Sequence, residues 1–143
     1  MRTGGFFAIG FGENTDLALV STHDGRGLID CETGTRIARD YDLAYPDEDT
    51  LVLEGIGALA GKMVSVAGED GGELPKTTDD GWRLEGTLAN NSEDVISLLP
   101  PTPDMGNATF SGFVPEIRVF GFSPTGRSFI IATGAEVFVY GRV

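Results

Sequence analysis

The sequence predicts an all-β protein of antiparallel meander sheets, either propeller-blade-like or a β-sandwich, with little helix. Glycine is abundant, at 21 of 143 residues, and is scattered among short runs of Val, Ile and Phe, which favours strands. Turn residues interrupt these runs at short intervals, and no long stretch shows the 3.6-residue periodicity of a helix. The length suits one domain with its own core, so we predict that 1–143 is a single all-β domain.

The N-terminal part predicts four short strands joined by tight turns. The strands are expected at 6–11, 17–22, 26–32 and 35–40. Asp24-Gly25, before the third strand, is the signature of a primed hairpin turn. Strands this short, in this order, form an antiparallel meander.

The C-terminal part divides in the same way. Strands are predicted at 116–122, 127–133 and 136–140, with Pro124 at a turn position that suits its restricted φ. The two parts align at an offset of 111 residues, with the identities Gly10/Gly121, Phe11/Phe122 and Thr22/Thr133. Such self-similarity indicates a repeated unit, although two apolar hairpins of any glycine-rich β-protein could align this well.

A known family shares the pattern of both parts. The stretch FGFSPTGRSFIIATGAEVFVY (120–140) resembles the inner hairpin of a WD-repeat-type β-propeller blade, and FFAIGF to TRIAR (6–39) resembles a whole blade. The Trp-Asp dipeptide of that family is replaced by Ile29-Asp30 and Val139-Tyr140. The resemblance implies blade-like units at about 5–40 and 116–143. Because a ring needs at least four blades of about 40 residues, we expect an open set of sheets, a sandwich, or a ring that several chains complete.

The acidic middle, 41–115, is less regular. Strands are predicted within 50–55, around 63–67 and at 81–88. A short apolar run begins at 94 and stops at Pro100 and Pro101, and a loop is predicted to follow it to 107. The stretch GALAGK (57–62) could instead form one helical turn. The acidic segment 68–81, which contains Gly and Pro, is predicted to be a long exposed hairpin loop.

Charge is concentrated in this middle part. The net charge is -12, and residues 40–104 hold 15 acids and three bases, while the rest of the chain holds seven of each. Such a segment repels nucleic acid and anionic membranes and attracts a basic partner. The alternative is a solvated acidic surface that only keeps the protein in solution.

Residues for catalysis or cofactor binding are scarce. The chain has one cysteine, Cys31, and one histidine, His23, so neither a disulfide nor a nucleophilic triad is expected within the chain. Acidic stretches such as PDEDT and TTDDG lack the spacing of a calcium loop, and no glycine-rich loop has phosphate-binding spacing. We therefore expect no catalytic residues, no dedicated metal site and no cofactor.

These observations predict a non-enzymatic, immunity-type protein that binds and neutralises a basic partner such as a toxin nuclease. Trp82 could be a binding hot spot or could face the core. The predicted partner-binding residues are Asp40, Asp42, Asp47, Glu48, Asp49, Glu69, Asp70, Glu73, Asp79, Asp80 and Trp82.

Two alternatives stay open. One is a propeller-like scaffold module that oligomerises, and the other is a carboxylate-dependent enzyme of unrecognised type. No signal-type segment or apolar stretch of membrane-spanning length is visible, so we expect a cytoplasmic protein. The oligomeric state is left open.

Overall fold

The structure, a computed structural model, describes residues 5–42, 44–87, 95–113 and 116–141. It is all-β, which confirms the predicted fold class. Single 3₁₀ turns at Gly57–Leu59 and Pro103–Met105 are the helical elements of the described residues. The strands are β1 (Phe6–Phe11), β2 (Leu17–Thr22), β3 (Gly25–Asp30), β4 (Thr35–Asp40), β5 (Val52–Glu54), β6 (Met63–Ser65), β7 (Ala67–Gly68), β8 (Arg83–Thr87), β9 (Val95–Leu99), β10 (Ala108–Phe110), β11 (Ile117–Phe122), β12 (Ser128–Thr133) and β13 (Val137–Gly141).

These strands form four antiparallel sheets that lie in layers. The sheets have the orders β4-β3-β2-β1-β7, β10-β9-β8, β11-β12-β13 and β5-β6. Strand side chains alternate between the two faces of a sheet, so each central sheet packs on both sides. Three hydrophobic clusters join the layers in the order β5-β6, β1–β4, β11–β13, β8–β10. The first and last sheets of the chain are therefore neighbours at the centre of the stack.

The two central hairpins repeat one another in detail. The β1–β2 pairing shifts register between Phe6 and Ala8, and the β11–β12 pairing shifts at the equivalent point. The Gly12 N–H donates to Leu17 O at 3.0 Å, and the Ser123 N–H donates to the oxygen of the equivalent Ser128 at 2.9 Å. The alignment at an offset of 111 thus corresponds to matching bulges and matching turns. The likeness to a propeller blade itself stays a prediction.

The repeated glycines lie where another part of the chain crosses a central hairpin. A Cβ on Gly10 would collide with the backbone oxygen of Ser65, and a Cβ on Gly121 would collide with Leu74. Only glycine allows the backbone to approach this closely. Both hairpins therefore need glycine at this equivalent position, because another part of the chain packs against the backbone there.

One element of the middle part differs from its prediction. Residues 68–81 do not form a long exposed hairpin loop, because Leu74 is buried in the cluster between the central sheets. The Phe122 N–H donates to Pro75 O at 2.7 Å, and the Leu84 N–H donates to Lys76 O at 2.8 Å. The segment 72–77 therefore runs across the β11 edge and connects the central sheets to β8.

Other details of the middle part refine the prediction. GALAGK begins with the single 3₁₀ turn, which leads into β6, and the apolar run that stops at Pro100 is β9. The strand β10, which the sequence analysis did not predict, completes the β8–β9 sheet. Within the described ranges, no helix is both long and apolar enough to cross a bilayer.

Both outer faces of the stack carry charge. Glu54 is exposed on the β5-β6 sheet, and Arg83 and Glu85 are exposed on β8, where they form a 3.5 Å ion pair. Charged side chains are costly to bury without partners. Each end sheet therefore exposes charge on its outer face, and on the β5-β6 sheet the exposed Met63 lies opposite Glu54.

Candidate functional site

The acidic stretch at 47–49 is a tight turn that its first carboxylate caps. Asp47 Oδ1 accepts hydrogen bonds from the Thr50 N–H at 3.0 Å and the Asp49 N–H at 2.9 Å. These bonds favour the ionised form and lower the pKa of Asp47 below its ordinary value. Asp47, Glu48 and Asp49 are all exposed, so the turn presents three carboxylates to solvent.

A second acidic loop follows β7. The Gly68 N–H donates to Gly71 O at 2.9 Å, and the Glu69 N–H donates to Phe7 O at 3.0 Å, which ties the loop to the edge of the β1–β4 sheet. Gly72 has a φ of +84°, a conformation that favours glycine. Glu69, Asp70 and Glu73 are exposed.

Leu51 joins these two loops. The Leu51 N–H donates to Asp47 O at 2.8 Å, and Leu51 O accepts from the Val66 N–H at 2.9 Å. Its Cδ1 atom lies 3.4 Å from the position that a Cβ on Gly72 would take. The two loops therefore flank one leucine and form one surface. We call this surface the acidic face and define it as Asp47, Glu48, Asp49, Glu69, Asp70 and Glu73.

Few positive charges offset the acidic face. Arg118 lies 3.7 Å from Glu69, with both side chains partly exposed. The other five carboxylates of the face form no ion pair with a residue in the described ranges. Burial lowers the pKa of Lys76, against the attraction of Glu73, and its Nζ donates to Leu74 O and Phe120 O. Lys76 thus bonds to backbone oxygens while its charge attracts Glu73, and with Arg118 it is one of two positive charges in the described ranges that act on the six carboxylates of the face.

Other predicted partner-binding residues lie elsewhere. Asp40 forms a 2.5 Å ion pair with Arg26, and although burial raises the pKa of Asp40, the bonds and charge of Arg26 outweigh it and lower that pKa. Its charge is therefore already neutralised within the chain. Asp42 is exposed in the segment that follows β4.

The residues predicted at 79–82 lie at the other end of the stack. Thr78 Oγ1 donates to Asp80 Oδ1 at 2.5 Å, and the Thr78 N–H donates to Trp82 O at 2.9 Å. This turn leads into β8, whereas the 47–49 turn leads into β5, in the opposite outer sheet. Trp82 is half-buried and packs on the cluster around Leu84, as the core-facing alternative predicted. The structure thus separates Asp79, Asp80 and Trp82 from the acidic face.

A buried carboxylate that the sequence analysis did not single out lies between the central hairpins. Asp16, 5% exposed, accepts hydrogen bonds from Ser123 at 2.6 Å, Ser128 at 2.7 Å and Thr125 at 2.9 Å. Burial raises the pKa of Asp16, but these bonds and the charge of Arg127 outweigh it, so the pKa is lowered. The carboxylate is saturated by the opposite turn and links the two repeats. One signal in the sequence could have indicated this link between the repeats. The alignment at an offset of 111 residues places Asp16 and Arg127 at equivalent positions.

The cysteine and the histidine have no catalytic arrangement within the described ranges. Burial, with the charges of Asp16 and Asp30, raises the pKa of Cys31 to about 12, so its thiolate is scarce at neutral pH. His23 is exposed in a turn, with its ring 6.1 Å from Phe7 and 6.3 Å from Tyr45. In the same ranges, no three His, Cys, Asp or Glu side chains are grouped to hold a metal ion.

Comparison with known proteins gives no family. No protein-family model matches the chain, and no curated protein matches it.

Proposed function

We propose that this chain is a non-enzymatic protein-binding module that docks its acidic face on a basic surface of another protein. The observation that supports this most directly is the meeting of two separate acidic loops on either side of Leu51. Six exposed carboxylates share this surface, and one of them has an ion-pair partner in the described ranges. A sequence that needed only solubility could spread the same charges over the whole molecule.

The partner class that fits best is a cationic nuclease of the toxin type, which the module would inhibit. A nuclease binds phosphates through Arg and Lys side chains, and carboxylates can occupy the same positions. Charge complementarity also steers the encounter of the two proteins and raises the association rate. The turn at 47–49 suits this use because Asp47 is held in place by bonds to the backbone.

The test compares two variants with the same net charge. The face-neutral variant carries Asp47→Asn, Glu48→Gln, Asp49→Asn, Glu69→Gln, Asp70→Asn and Glu73→Gln. The matched control neutralises six exposed acids outside the face. Its substitutions are Glu13→Gln, Asp24→Asn, Glu54→Gln, Glu85→Gln, Asp104→Asn and Glu116→Gln.

The probe is a fluorescent oligo-arginine peptide, whose binding is measured by anisotropy at several salt concentrations. We expect the face-neutral variant to bind about tenfold more weakly and the matched control about twofold more weakly, since only the first loses the clustered potential. Equal losses in the two variants would mean that net charge alone attracts the peptide, and the proposal would then be wrong.

The nuclease class needs a separate probe. Cationic toxin nuclease domains, assayed on DNA and on RNA, should include one that the wild-type chain inhibits at a one-to-one ratio. The face-neutral variant should need a clear excess over that enzyme, and the matched control should not. If the oligo-arginine test succeeds and no nuclease is inhibited, the docking proposal stands and the nuclease class is rejected.

A further inference from the structure

We propose that the rings of Phe7, His23 and Tyr45 form a subsite beside the acidic face that receives an arginine side chain of the partner. We call these three rings the aromatic cluster. The proposal rests on the docking function proposed above and adds to it the kind of side chain that one part of the surface recognises. The sequence analysis placed none of the three residues among the partner-binding residues.

The three rings come from separate parts of the chain and meet in the folded structure. Phe7 belongs to β1, His23 to the turn between β2 and β3, and Tyr45 to the segment that leads into the 47–49 turn. The ring centroids of Phe7 and Tyr45 are 5.0 Å apart, with the rings inclined at 65°. Those of His23 and Tyr45 are 6.3 Å apart, at 55°. Tyr45 is nevertheless 49% exposed, so a large part of its ring is open to a ligand.

Backbone hydrogen bonds hold the aromatic cluster in place. Ser21 Oγ donates to Ala44 O at 3.0 Å, which ties the residue before Tyr45 to β2. The His23 N–H donates to Gly5 O at 3.0 Å. The backbone that carries these rings is therefore ordered before a ligand binds, which lowers the entropic cost of binding.

The aromatic cluster adjoins both loops of the acidic face. Tyr45 lies two residues before Asp47, and the Glu69 N–H donates to Phe7 O at 3.0 Å. Asp42, three residues before Tyr45, is a further exposed acid. Neither Asp42 nor Asp47 forms an ion pair with a residue in the described ranges. The charge around the cluster therefore complements a cation.

Two rings elsewhere in the described residues already carry a cation. Arg39 Cζ lies 4.7 Å from the ring centroid of Tyr41, and Lys76 Nζ lies 4.2 Å from that of Phe120. Over the same described residues, no Lys or Arg lies above a ring of the aromatic cluster. Aromatic faces attract cations. The aromatic cluster thus has open rings in an acidic setting and no cation of the described chain to fill them.

Arginine fits these surroundings better than lysine. Its planar guanidinium stacks on an aromatic face while its N–H groups donate to carboxylates, and it is more weakly hydrated than an ammonium group. Tyr45 offers the aromatic face, and Asp42 and Asp47 lie on either side of it in the chain. We therefore expect the partner to place an arginine, rather than a lysine, at the aromatic cluster.

The experiment compares oligo-arginine and oligo-lysine peptides of equal length, whose affinities are measured by fluorescence anisotropy. Tyr45→Leu removes the ring but keeps an apolar side chain. We expect it to lower the preference for arginine over lysine about threefold, the usual effect of a cation–π contact at an exposed site. Tyr45→Phe keeps the ring and should keep the preference. Tyr41→Leu is the matched control, because Tyr41 is 74% exposed but already lies under Arg39.

The outcomes separate this proposal from the docking proposal. If Tyr45→Leu and Tyr41→Leu change the preference equally, the arginine subsite is overturned while the acidic face is untouched. If the face-neutral variant binds both peptides as its matched control does, the docking proposal fails, and the effect of Tyr45→Leu is still measured. A second readout uses the wild-type chain with bound oligo-arginine. Nuclear Overhauser effects should connect arginine δ protons with the ring of Tyr45, and their absence overturns the subsite even if Tyr45→Leu fails to fold.

Discussion

At the scale of single residues, Asp16 is a buried charge that needs hydrogen bonds and an opposite charge to compensate for its loss of solvent. Its side chain lies between the two central hairpins, and its hydrogen-bond donors lie in the turn of the opposite hairpin and at the start of β12. A buried charge is costly unless hydrogen bonds and an opposite charge compensate for it. Here Ser123, Thr125, Ser128 and Arg127 supply that compensation.

We predict that Asp16→Asn lowers the free energy of unfolding by about 1.5–3 kcal/mol, the usual range for a hydrogen bond to a charged group. The neutral amide keeps the shape but weakens three charge-assisted bonds. Urea unfolding followed by circular dichroism measures the change. Glu32→Gln is the control, because Glu32 also pairs with Arg127, at 3.1 Å, but is largely exposed, so it should cost less than about 1 kcal/mol. Equal effects of the two substitutions would refute the assigned role.

The same carboxylate predicts a pH dependence. The pKa of Asp16 is lowered in the folded state relative to about 3.9 in an unfolded chain, so the folded state favours the ionised form. Its stabilisation is therefore complete above about pH 5 and is lost as the pH falls through the folded pKa. The difference in unfolding free energy between wild type and Asp16→Asn should be constant near neutral pH and shrink below about pH 4. A difference that grows on acidification would contradict this.

The sequence predicted some residue roles and missed others for a physical reason. The identities Gly10/Gly121 and Phe11/Phe122 were visible in the sequence, and these residues take equivalent positions in the two central hairpins. The role of Asp16 depends on partners 107–112 positions away. No local pattern encodes which turn will lie opposite another, so the sequence left Asp16 without a role.

At the scale of elements, the hairpins were predictable and the connections between them were not. β1, β2 and β4 have the predicted bounds, since tight turns set both ends of each strand. The segment 68–81 has the acidic, glycine-bearing composition of a loop, yet Leu74 within it is buried. A single apolar residue forms no periodic pattern from which its burial could be predicted. Leu74 can be buried because Gly121, which has no Cβ, lets it approach the backbone of β11.

The close approach of Leu74 to Gly121 predicts that a small substitution at Gly121 has a large effect on stability. Gly121→Ala should destabilise the fold by about 1–3 kcal/mol through overpacking, because a Cβ there collides with Leu74 and crowds Pro75 O. Gly141→Ala is the matched control, since nothing lies within 4 Å of a Cβ at that position. Thermal unfolding of both variants measures the difference. A Gly121→Ala protein as stable as Gly141→Ala would show that the crossing is misplaced.

At the scale of the whole molecule, the order of the sheets decides how the acidic residues are grouped. The sequence located the charge in the middle part, and the structure places the β1–β4 and β11–β13 sheets at the centre of the stack. The sheets formed by the middle part therefore lie on opposite sides. For this reason two acidic turns of similar composition belong to different surfaces. They are the turn at 47–49 and the turn at 78–82.

The most direct test of this account is a titration of the ¹⁵N-labelled chain with the oligo-arginine peptide, followed through amide chemical shifts. We predict that the amides of 47–49 and 69–73 shift together and fit one dissociation constant, because they belong to one face. The amides of 78–81 should change little over the same range. Equal shifts in all acidic segments, or the largest shifts at 78–81, would contradict the proposal that the acidic face is the docking surface.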